Sequence, residues 1–202
     1  MVAIIDYDAG NIRSVEKAVR YLGKEVTVTS EPEEILAADR VILPGVGAFG
    51  DAMKRLHAMG LVEVIRQAAD RGTPFLGICL GLQLLFEKSE ESPGVRGLSV
   101  LPGKILRIPD GPGLTVPHIG WNSLEFRDGS RLFDGIEHGA YVYFVHSYYL
   151  KAEEDSLVAA RTEYGVSIHA AVERGNLFAC QFHTEKSSAV GLQILKNFAQ
   201  MG

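Results

Sequence analysis

Cysteine is scarce in this chain of 202 residues, which contains only Cys79 and Cys180. Two cysteines cannot build a disulfide framework, and such sparse usage fits a reducing cytosol. The two thiols could still pair with each other, although a reactive role for Cys79 would require it to be free.

The sequence is also poor in basic runs and in long apolar runs. A formal net charge of −5 and the lack of any Lys/Arg-rich segment argue against binding to a nucleic-acid backbone. The apolar runs are too short to cross a bilayer, so no membrane association is expected. Residues 1–6 carry no basic group before the first apolar stretch, so we expect a strand there instead of a signal peptide, and a cytoplasmic protein.

Strands and helices alternate in the first two-thirds of the chain. This order predicts an α/β fold with a doubly wound, mostly parallel, flavodoxin-like sheet and flanking helices. A capping box of Ser30 and Glu33, with Pro32 in the first turn, predicts the start of the second helix. The predicted strands cover residues 2–7, 25–29 and 40–43, and a fourth strand leads from Pro74 into Cys79. The predicted helices cover 15–22, 32–38 and two segments separated at Gly60.

The final third of the chain changes character and predicts a smaller mixed β portion. It is rich in Gly and Pro near residues 95–117, and residues 173–176 form a hairpin-type connection. We find no internal repeat and no linker, so residues 1–202 are expected to form one domain. The predicted elements are strands at 121–126, 140–150, 157–161, 166–172 and 177–182 and an amphipathic helix at 187–201.

The segment Gly77-Ile78-Cys79-Leu80-Gly81 lies where a buried strand gives way to a helix. Glycines on both sides of a cysteine relieve the crowding of a very sharp turn, as in the nucleophile elbow of serine hydrolases. A helix N-terminus also favours a thiolate. The segment therefore predicts a nucleophilic Cys79, with a buried structural cysteine as the alternative.

A second glycine-rich segment, residues 45–50, matches the G-x-G-x-x-G pattern of dinucleotide-binding proteins. It follows the third predicted strand instead of the first, and the next strand ends in Cys79 where an acidic ribose ligand would be expected. We therefore expect no nucleotide cofactor. Loop N–H groups near the same sheet edge as Cys79 would instead suit an oxyanion hole.

Among six histidines, His183 is the best candidate for a general base. It closes a predicted strand, and Glu185 would face the same way if the segment stayed extended, so the carboxylate could orient the ring. A structural histidine beside a solvated glutamate is the alternative. His57 and His138 are expected in solvent, His169 in the core, and His146 at a strand end that could line a site. Because C-x-x-C and H-E-x-x-H patterns are missing, no metal site is expected.

Three motifs resemble the signatures of class I glutamine amidotransferases: residues 77–83, residues 44–47 and Gln181-Phe182-His183-x-Glu185. Residues 6–11, 117–122 and 143–148 narrow the resemblance to the glutaminase subunits of imidazole glycerol phosphate synthase. Three positions depart from the usual family pattern. Thr184 stands in place of a proline, Leu82 in place of a methionine and Asp8 in place of a glycine.

The resemblance implies that glutamine is hydrolysed through a glutamyl thioester, with Cys79, His183 and Glu185 as the catalytic residues. The oxyanion hole would be formed by backbone N–H groups of Val46, Gly47 and Leu80. The residues implied in binding glutamine are Gly45, Gln83, Ser147 and Tyr148.

The resemblance also implies a partner, the cyclase subunit of imidazole glycerol phosphate synthase, which is a (β/α)8 barrel that receives the ammonia. The residues implied at the interface with this partner are Asn11, Trp121, Asn122, Tyr143 and Lys186. A core position is the alternative for Trp121. Three other functions stay open: a class I glutaminase of another synthase, a cysteine hydrolase with a nucleophile elbow, and a non-catalytic flavodoxin-like module.

Overall fold

A computed structural model describes residues 1–201, which form thirteen strands and six α-helices. The strands are β1 Val2–Ile5, β2 Val26–Thr29, β3 Arg40–Leu43, β4 Phe75–Ile78, β5 Lys88–Ser89, β6 Gly103–Arg107, β7 His118–Ser123, β8 Glu125–Phe126, β9 Tyr141–His146, β10 Tyr148–Ala152, β11 Val158–Glu163, β12 Ser167–Arg174 and β13 Leu177–Cys180. The helices are α1 Ile12–Tyr21, α2 Pro32–Ala37, α3 Phe49–Ala58, α4 Leu61–Asp70, α5 Leu80–Leu84 and α6 Ser188–Gln200. Short 3-10 turns cover Arg131–Phe133, Asp155–Leu157 and Thr184–Lys186.

Eight strands form one twisted sheet in the order β2-β1-β3-β4-β13-β12-β11-β8. The first five are parallel, with the 2-1-3-4-5 order of flavodoxin-like folds once β13 is taken as the fifth strand. The last three strands are antiparallel. The remaining strands form two small sheets, β10-β6-β5 and β7-β9. The predicted doubly wound α/β fold is confirmed, and part of its mixed β portion extends the main sheet.

Alternating residues of β1 lie in two separate hydrophobic clusters, as expected for a sheet that is covered on both faces. Val2 and Ile4 pack in one cluster with α1 and α6, whereas Ala3 and Ile5 pack in the other with α2, α3 and α4. The sheet is therefore a buried central layer between helices. The carboxyl ends of its parallel strands are left free to present loops at one edge.

Three local predictions of the elements are wrong. The predicted strand 121–126 belongs to β7 and β8, which separate at Leu124 because β7 pairs with β9 whereas β8 pairs with β11 in the main sheet. Helix α2 begins at Pro32 after an N-cap at Glu31 that makes no side-chain capping bond; instead, Thr29 Oγ1 accepts the Glu31 N–H at 2.9 Å, so Ser30 and Glu33 form no capping box. The predicted strand 140–150 is two strands, β9 and β10. They separate at Ser147 because β9 pairs with β7 whereas β10 pairs with β6 in another sheet.

The length and polarity of the helices leave no candidate for a membrane span within residues 1–201.

Candidate active site

Cys79 occupies a sharp turn between β4 and α5. Its φ of +56° and ψ of −112° are strained for a residue with a side chain. The two flanking glycines are required by close packing, because a Cβ on Gly81 would lie 1.9 Å from the Leu43 carbonyl oxygen and one on Gly77 would lie 2.9 Å from the Gly81 oxygen. The predicted elbow is therefore present, and it directs Cys79 to the carboxyl edge of the sheet.

A cavity of about 330 Å³ opens beside Cys79. Most of the residues predicted for catalysis or substrate binding lie along its wall. The lining residues are Val46, Gly47, Cys79, Leu80, Gln83, Glu91, Pro117, Val145, His146, Ser147, Tyr148, His183 and Lys186. Within residues 1–201, no group of three His, Cys, Asp or Glu side chains is placed to hold a metal ion.

His183 and Glu185 form a buried ion pair, with 2.9 Å between His183 Nδ1 and Glu185 Oε1. Burial alone would lower the pKa of His183, but hydrogen bonds to Cys79 and Glu185 outweigh it and raise the pKa to about 10. Burial also disfavours the Glu185 carboxylate, yet the pKa of Glu185 falls below its usual value because of the bond to His183. The pair is thus charged at neutral pH.

The predicted contact between His183 and Glu185 is present, but the predicted extended geometry is wrong. Strand β13 ends at Cys180, and Glu185 lies in the 3-10 turn Thr184–Lys186. Ser187 holds this turn: its hydroxyl donates to the His183 carbonyl at 2.6 Å and accepts the Tyr143 N–H at 3.0 Å. Ser187 therefore ties the turn to β9 without the proline that is usual in the resembling family.

Asn11 lies closer to this ion pair than the sequence indicated. Its Nδ2 donates to Glu185 Oε1 at 3.2 Å, the same oxygen that accepts from His183. The other oxygen, Glu185 Oε2, is buried and has no hydrogen-bond partner within residues 1–201. Asn11 thus connects the loop before α1 directly to the Glu185 carboxylate.

The predicted oxyanion-hole donor Leu80 is already engaged in this structure. Its N–H donates to the Gly45 carbonyl at 3.3 Å. Gly45 itself packs tightly, because a Cβ there would lie 2.5 Å from the Tyr7 hydroxyl. Gly47 has a φ of +95°, and no atom lies within 4 Å of the position that its Cβ would take. Close packing therefore does not restrain the loop at Gly47. The glycine-rich loop lies beside Cys79 as predicted, but it presents the Gly45 carbonyl to the Leu80 N–H instead of a free N–H group to the cavity.

Gln83 and Gln181 form an amide pair beneath the cavity. Gln83 Nε2 donates to Gln181 Oε1 at 2.9 Å and to the Tyr148 carbonyl at 3.0 Å, and Gln181 Nε2 donates to Cys79 Sγ at 3.8 Å. The sequence motif that contains Gln181 predicts no role for this residue. Its position two residues before His183, at the end of a buried strand, was the available signal.

Ser147 and Tyr148 line the cavity because the chain breaks its strand between β9 and β10. A continuous strand would have kept both residues in one ladder. The break turns the Tyr148 carbonyl toward Gln83 and leaves the Ser147 carbonyl to accept the Ile108 N–H at 2.9 Å.

Four residues predicted at a partner interface lie around the β7-β9 ribbon and the turn beside it. Trp121 is 51% exposed and packs edge-on against Tyr143, with 5.8 Å between ring centroids, so a core position for this tryptophan is wrong. Lys186 is exposed at the mouth of the cavity. Asn122 is half-buried and donates to the Glu163 carbonyl at 3.0 Å.

The two cysteines are both free, which excludes the alternative of a Cys79–Cys180 disulfide. Cys180 is fully buried, and this burial raises the pKa of its thiol well above the ordinary value. Only Cys79 opens to the cavity. His57 and His138 are exposed and His169 is buried in β12, as predicted.

Comparison with known proteins identifies the class. The profile of the "Glutamine amidotransferase class-I" family matches residues 3–201. A crystal structure of a glutamine amidotransferase superposes with a TM-score of 0.76 at 21% identity, covering 98% of this chain and all of the other. PurLQS from Thermotoga maritima superposes with a TM-score of 0.72 at 22% identity, over 98% and 95% of the two chains. The chain therefore belongs to the class I glutamine amidotransferases.

Relatives of higher sequence identity define the family within this class more closely. The protein named imidazole glycerol phosphate synthase subunit HisH of Moorella thermoacetica is 54% identical over 200 residues, covering 99% of this chain and 94% of that protein. The protein of the same name from Methanothermobacter thermautotrophicus is 52% identical over all of this chain and 98% of its own. Within its class, the chain belongs to the HisH family.

Proposed function

We propose that this protein hydrolyses glutamine to glutamate and ammonia, as the glutaminase subunit of an imidazole glycerol phosphate synthase in the cytoplasm. The observation that carries the proposal is the cavity where the strained Cys79 meets the buried His183–Glu185 pair. Membership of the HisH family supports the choice of substrate and pathway. The match over residues 3–201 supports one glutamine amidotransferase domain.

Cys79 is the nucleophile in this proposal. Its thiolate attacks the side-chain amide carbon of glutamine, and His183, which holds the thiol proton, donates a proton to the departing nitrogen. Ammonia leaves and a γ-glutamyl thioester remains. Water then attacks the thioester with His183 as base, glutamate is released, and the thiolate is regenerated. Glu185 orients His183 and stabilises its charged form.

The oxyanion formed in each attack needs backbone donors. Leu80 can supply its N–H only after the Gly45 carbonyl has turned away. Because the Gly45 carbonyl and the Val46 N–H belong to one peptide unit, turning that unit would bring the Val46 N–H toward the same place. We propose that this rotation, next to the open Gly47, completes the oxyanion hole.

The substrate's amino-acid end would lie against the opposite wall of the cavity. Gly45, Gln83, Ser147 and Tyr148 are proposed to bind it, since the last three line the cavity and Gly45 packs against Leu80 at its edge.

Ammonia released into bulk water would be protonated and lost. We propose that it passes to the cyclase subunit, a (β/α)8 barrel, which uses it to make imidazole glycerol phosphate and an aminoimidazole carboxamide ribotide in histidine biosynthesis. The proposed interface contains Asn11, Trp121, Asn122, Tyr143 and Lys186. The exposed Trp121, which packs edge-on against the half-buried Tyr143, would be its apolar anchor.

The replacement Cys79→Ala tests the nucleophile. We expect it to abolish glutamine-dependent synthesis by the assembled pair and to leave ammonia-dependent synthesis intact, because only the glutaminase step needs the thiol. Cys180→Ala is the matched control, and it should retain glutamine-dependent synthesis because the Cys180 thiol is buried away from the cavity. Substantial glutamine hydrolysis by the Cys79 variant would falsify the assignment.

The identity of the partner is tested separately. Candidate synthase subunits are mixed with the protein, and glutamine turnover is measured with each. The cyclase of the histidine pathway should raise turnover, and a greater rise with a different synthase would assign the subunit to that enzyme instead.

A further inference from the structure

Two buried histidines face each other across the β7-β9 ribbon. His118 and His146 are register partners, and 3.0 Å separates His118 Nδ1 from His146 Nε2. His118 is stacked between Tyr164, at 3.9 Å between centroids, and Phe144, at 4.8 Å. Burial lowers the pKa of His118 to about 4 and that of His146 to about 3, so both rings are neutral and each carries one N–H.

The Tyr148 carbonyl, which accepts a hydrogen bond from His146, determines which nitrogen of each imidazole ring carries the proton. His146 Nδ1 lies 2.9 Å from the Tyr148 carbonyl, which can only accept, so His146 carries its proton on Nδ1. His146 Nε2 is then bare and must accept from His118 Nδ1–H. His118 Nε2 is bare in turn and accepts from Asn122 Nδ2 at 3.4 Å.

The Tyr148 carbonyl connects this series of hydrogen bonds to the cavity, because it also accepts one hydrogen of the Gln83 amide. The second hydrogen goes to Gln181 Oε1, and Gln181 donates to Cys79 Sγ. Both amide hydrogens of Gln83 are therefore used inside the protein. Only its oxygen can face a ligand, and an amide oxygen accepts hydrogen bonds but cannot donate them.

We propose that His118 and His146 are positioning residues that, through the Tyr148 carbonyl, hold Gln83 as a hydrogen-bond acceptor for an N–H group of the substrate. This inference rests on the proposed glutaminase function. The histidines touch no substrate: they fix the carbonyl, the carbonyl fixes the amide, and the amide selects for a donor. A ligand that presents a carboxylate to Gln83 would meet an acceptor and be rejected.

The proton positions can be tested without any activity. In the full-length protein, 15N NMR of the imidazole rings should find both His118 and His146 protonated on Nδ1 and bare on Nε2. Protonation of either ring on Nε2 would break the sequence of donors and overturn the proposal, whether or not the protein hydrolyses glutamine.

Two variants of His118 separate its hydrogen bonds from its packing. His118→Phe keeps a ring between Tyr164 and Phe144 but has no nitrogen, whereas His118→Asn loses the stack but can place an amide N–H where Nδ1 was. We expect His118→Phe to raise KM for glutamine about tenfold with kcat changed less than about threefold, since one orienting hydrogen bond is lost. His118→Asn should recover most of that loss.

The matched control is His169→Phe, the same substitution at another buried histidine. His169 Nδ1 accepts the Ala152 N–H and takes no part in the hydrogen bonds that lead to Gln83. It should keep the wild-type KM. A wild-type KM in His118→Phe would assign His118 a packing role only. Equal losses in His118→Phe and His118→Asn would show that a donor at the Nδ1 position does not set KM. Either result overturns the proposal. A wild-type protein that does not hydrolyse glutamine with its partner would instead refute the proposed function.

Discussion

His183 and His146 line the same cavity, but His183 is positively charged and His146 is neutral. Burial lowers the pKa of both. His183, just before the Thr184–Lys186 turn, lies 2.9 Å from the Glu185 carboxylate and bonds to the Cys79 thiol, so its pKa rises to about 10. In the β7-β9 ribbon, His146 faces a neutral ring and a backbone carbonyl, so its pKa falls to about 3.

The two side chains are almost equally shielded from solvent, at 6% and 4% exposure for His146 and His183, so the chemistry of the neighbours sets the difference. A carboxylate compensates for the lost hydration of an imidazolium, whereas a carbonyl and a second imidazole do not. The same side chain is thereby suited to moving a proton in one place and to keeping one fixed in the other. Substituting the neighbours of each histidine one at a time tests this explanation of the two pKa values.

Glu185→Gln should have the largest effect, because it gives His183 a neutral neighbour like those of His146. The pKa of His183 should fall below its present value of about 10, and kcat for glutamine hydrolysis should drop by a factor on the order of 10³. NMR titration of His183 and steady-state kinetics measure the two effects.

Glu173→Gln is the control for that change, since Glu173 pairs with Arg131 at 3.0 Å and takes no part in the cavity wall. It should leave both the pKa of His183 and kcat for glutamine hydrolysis unchanged. An unaltered His183 pKa in Glu185→Gln would mean that Cys79 alone keeps the ring charged, and the contrast between the two regions would then have a different cause.

The free energy of unfolding should fall at alkaline pH because of His183 and at acid pH because of the His118–His146 pair; we call these two losses the alkaline arm and the acid arm. His183 has a folded pKa above the ordinary 6.5, so its contribution is present below pH 6.5 and is lost as the pH rises toward 10. His118 and His146 have folded pKa values below 6.5, so their contribution is present above pH 6.5 and is lost as the pH falls toward 4 and 3. Denaturant unfolding across this range measures both arms.

Variants assign the arms to the two regions. Glu185→Gln should flatten the alkaline arm, and His118→Phe should flatten part of the acid arm, where His169 also contributes because its folded pKa is about 4. If His118→Phe left the loss of stability at acid pH unchanged, His118 would not be a source of acid sensitivity.

The sequence predicts the charged region far better than the neutral one. Cys79 between two glycines, and Glu185 two residues after His183, are local patterns whose chemistry follows from neighbours in the chain. The bond from Gln83 to Gln181 spans 98 residues, and the His118–His146 pair depends on the register of two strands. The break at Ser147 follows from the pairing of β9 and β10 with different sheets, which no local pattern specifies.

The smallest effect is expected from Thr184→Pro, which tests whether the turn that holds the carboxylate is already rigid. Thr184 is buried, and its hydroxyl has no hydrogen-bond partner within residues 1–201. His183 before it is extended, with φ −87° and ψ 105°, as a residue before proline prefers. Since Ser187 already fixes the turn, we expect turnover within about twofold of wild type. We also expect the free energy of unfolding to rise by about 0.5–1 kcal/mol.

Thr184→Val separates the two changes that proline makes, because it removes the hydroxyl without restricting the backbone. If loss of the unpaired hydroxyl is the main gain, Val and Pro should stabilise the protein equally in urea unfolding; if backbone restriction dominates, only Pro should. A severalfold rise in glutamine turnover with Pro alone would contradict a rigid turn. It would mean that threonine lets Glu185 move away from His183, so that the charged region is held less firmly than its 2.9 Å contact indicates.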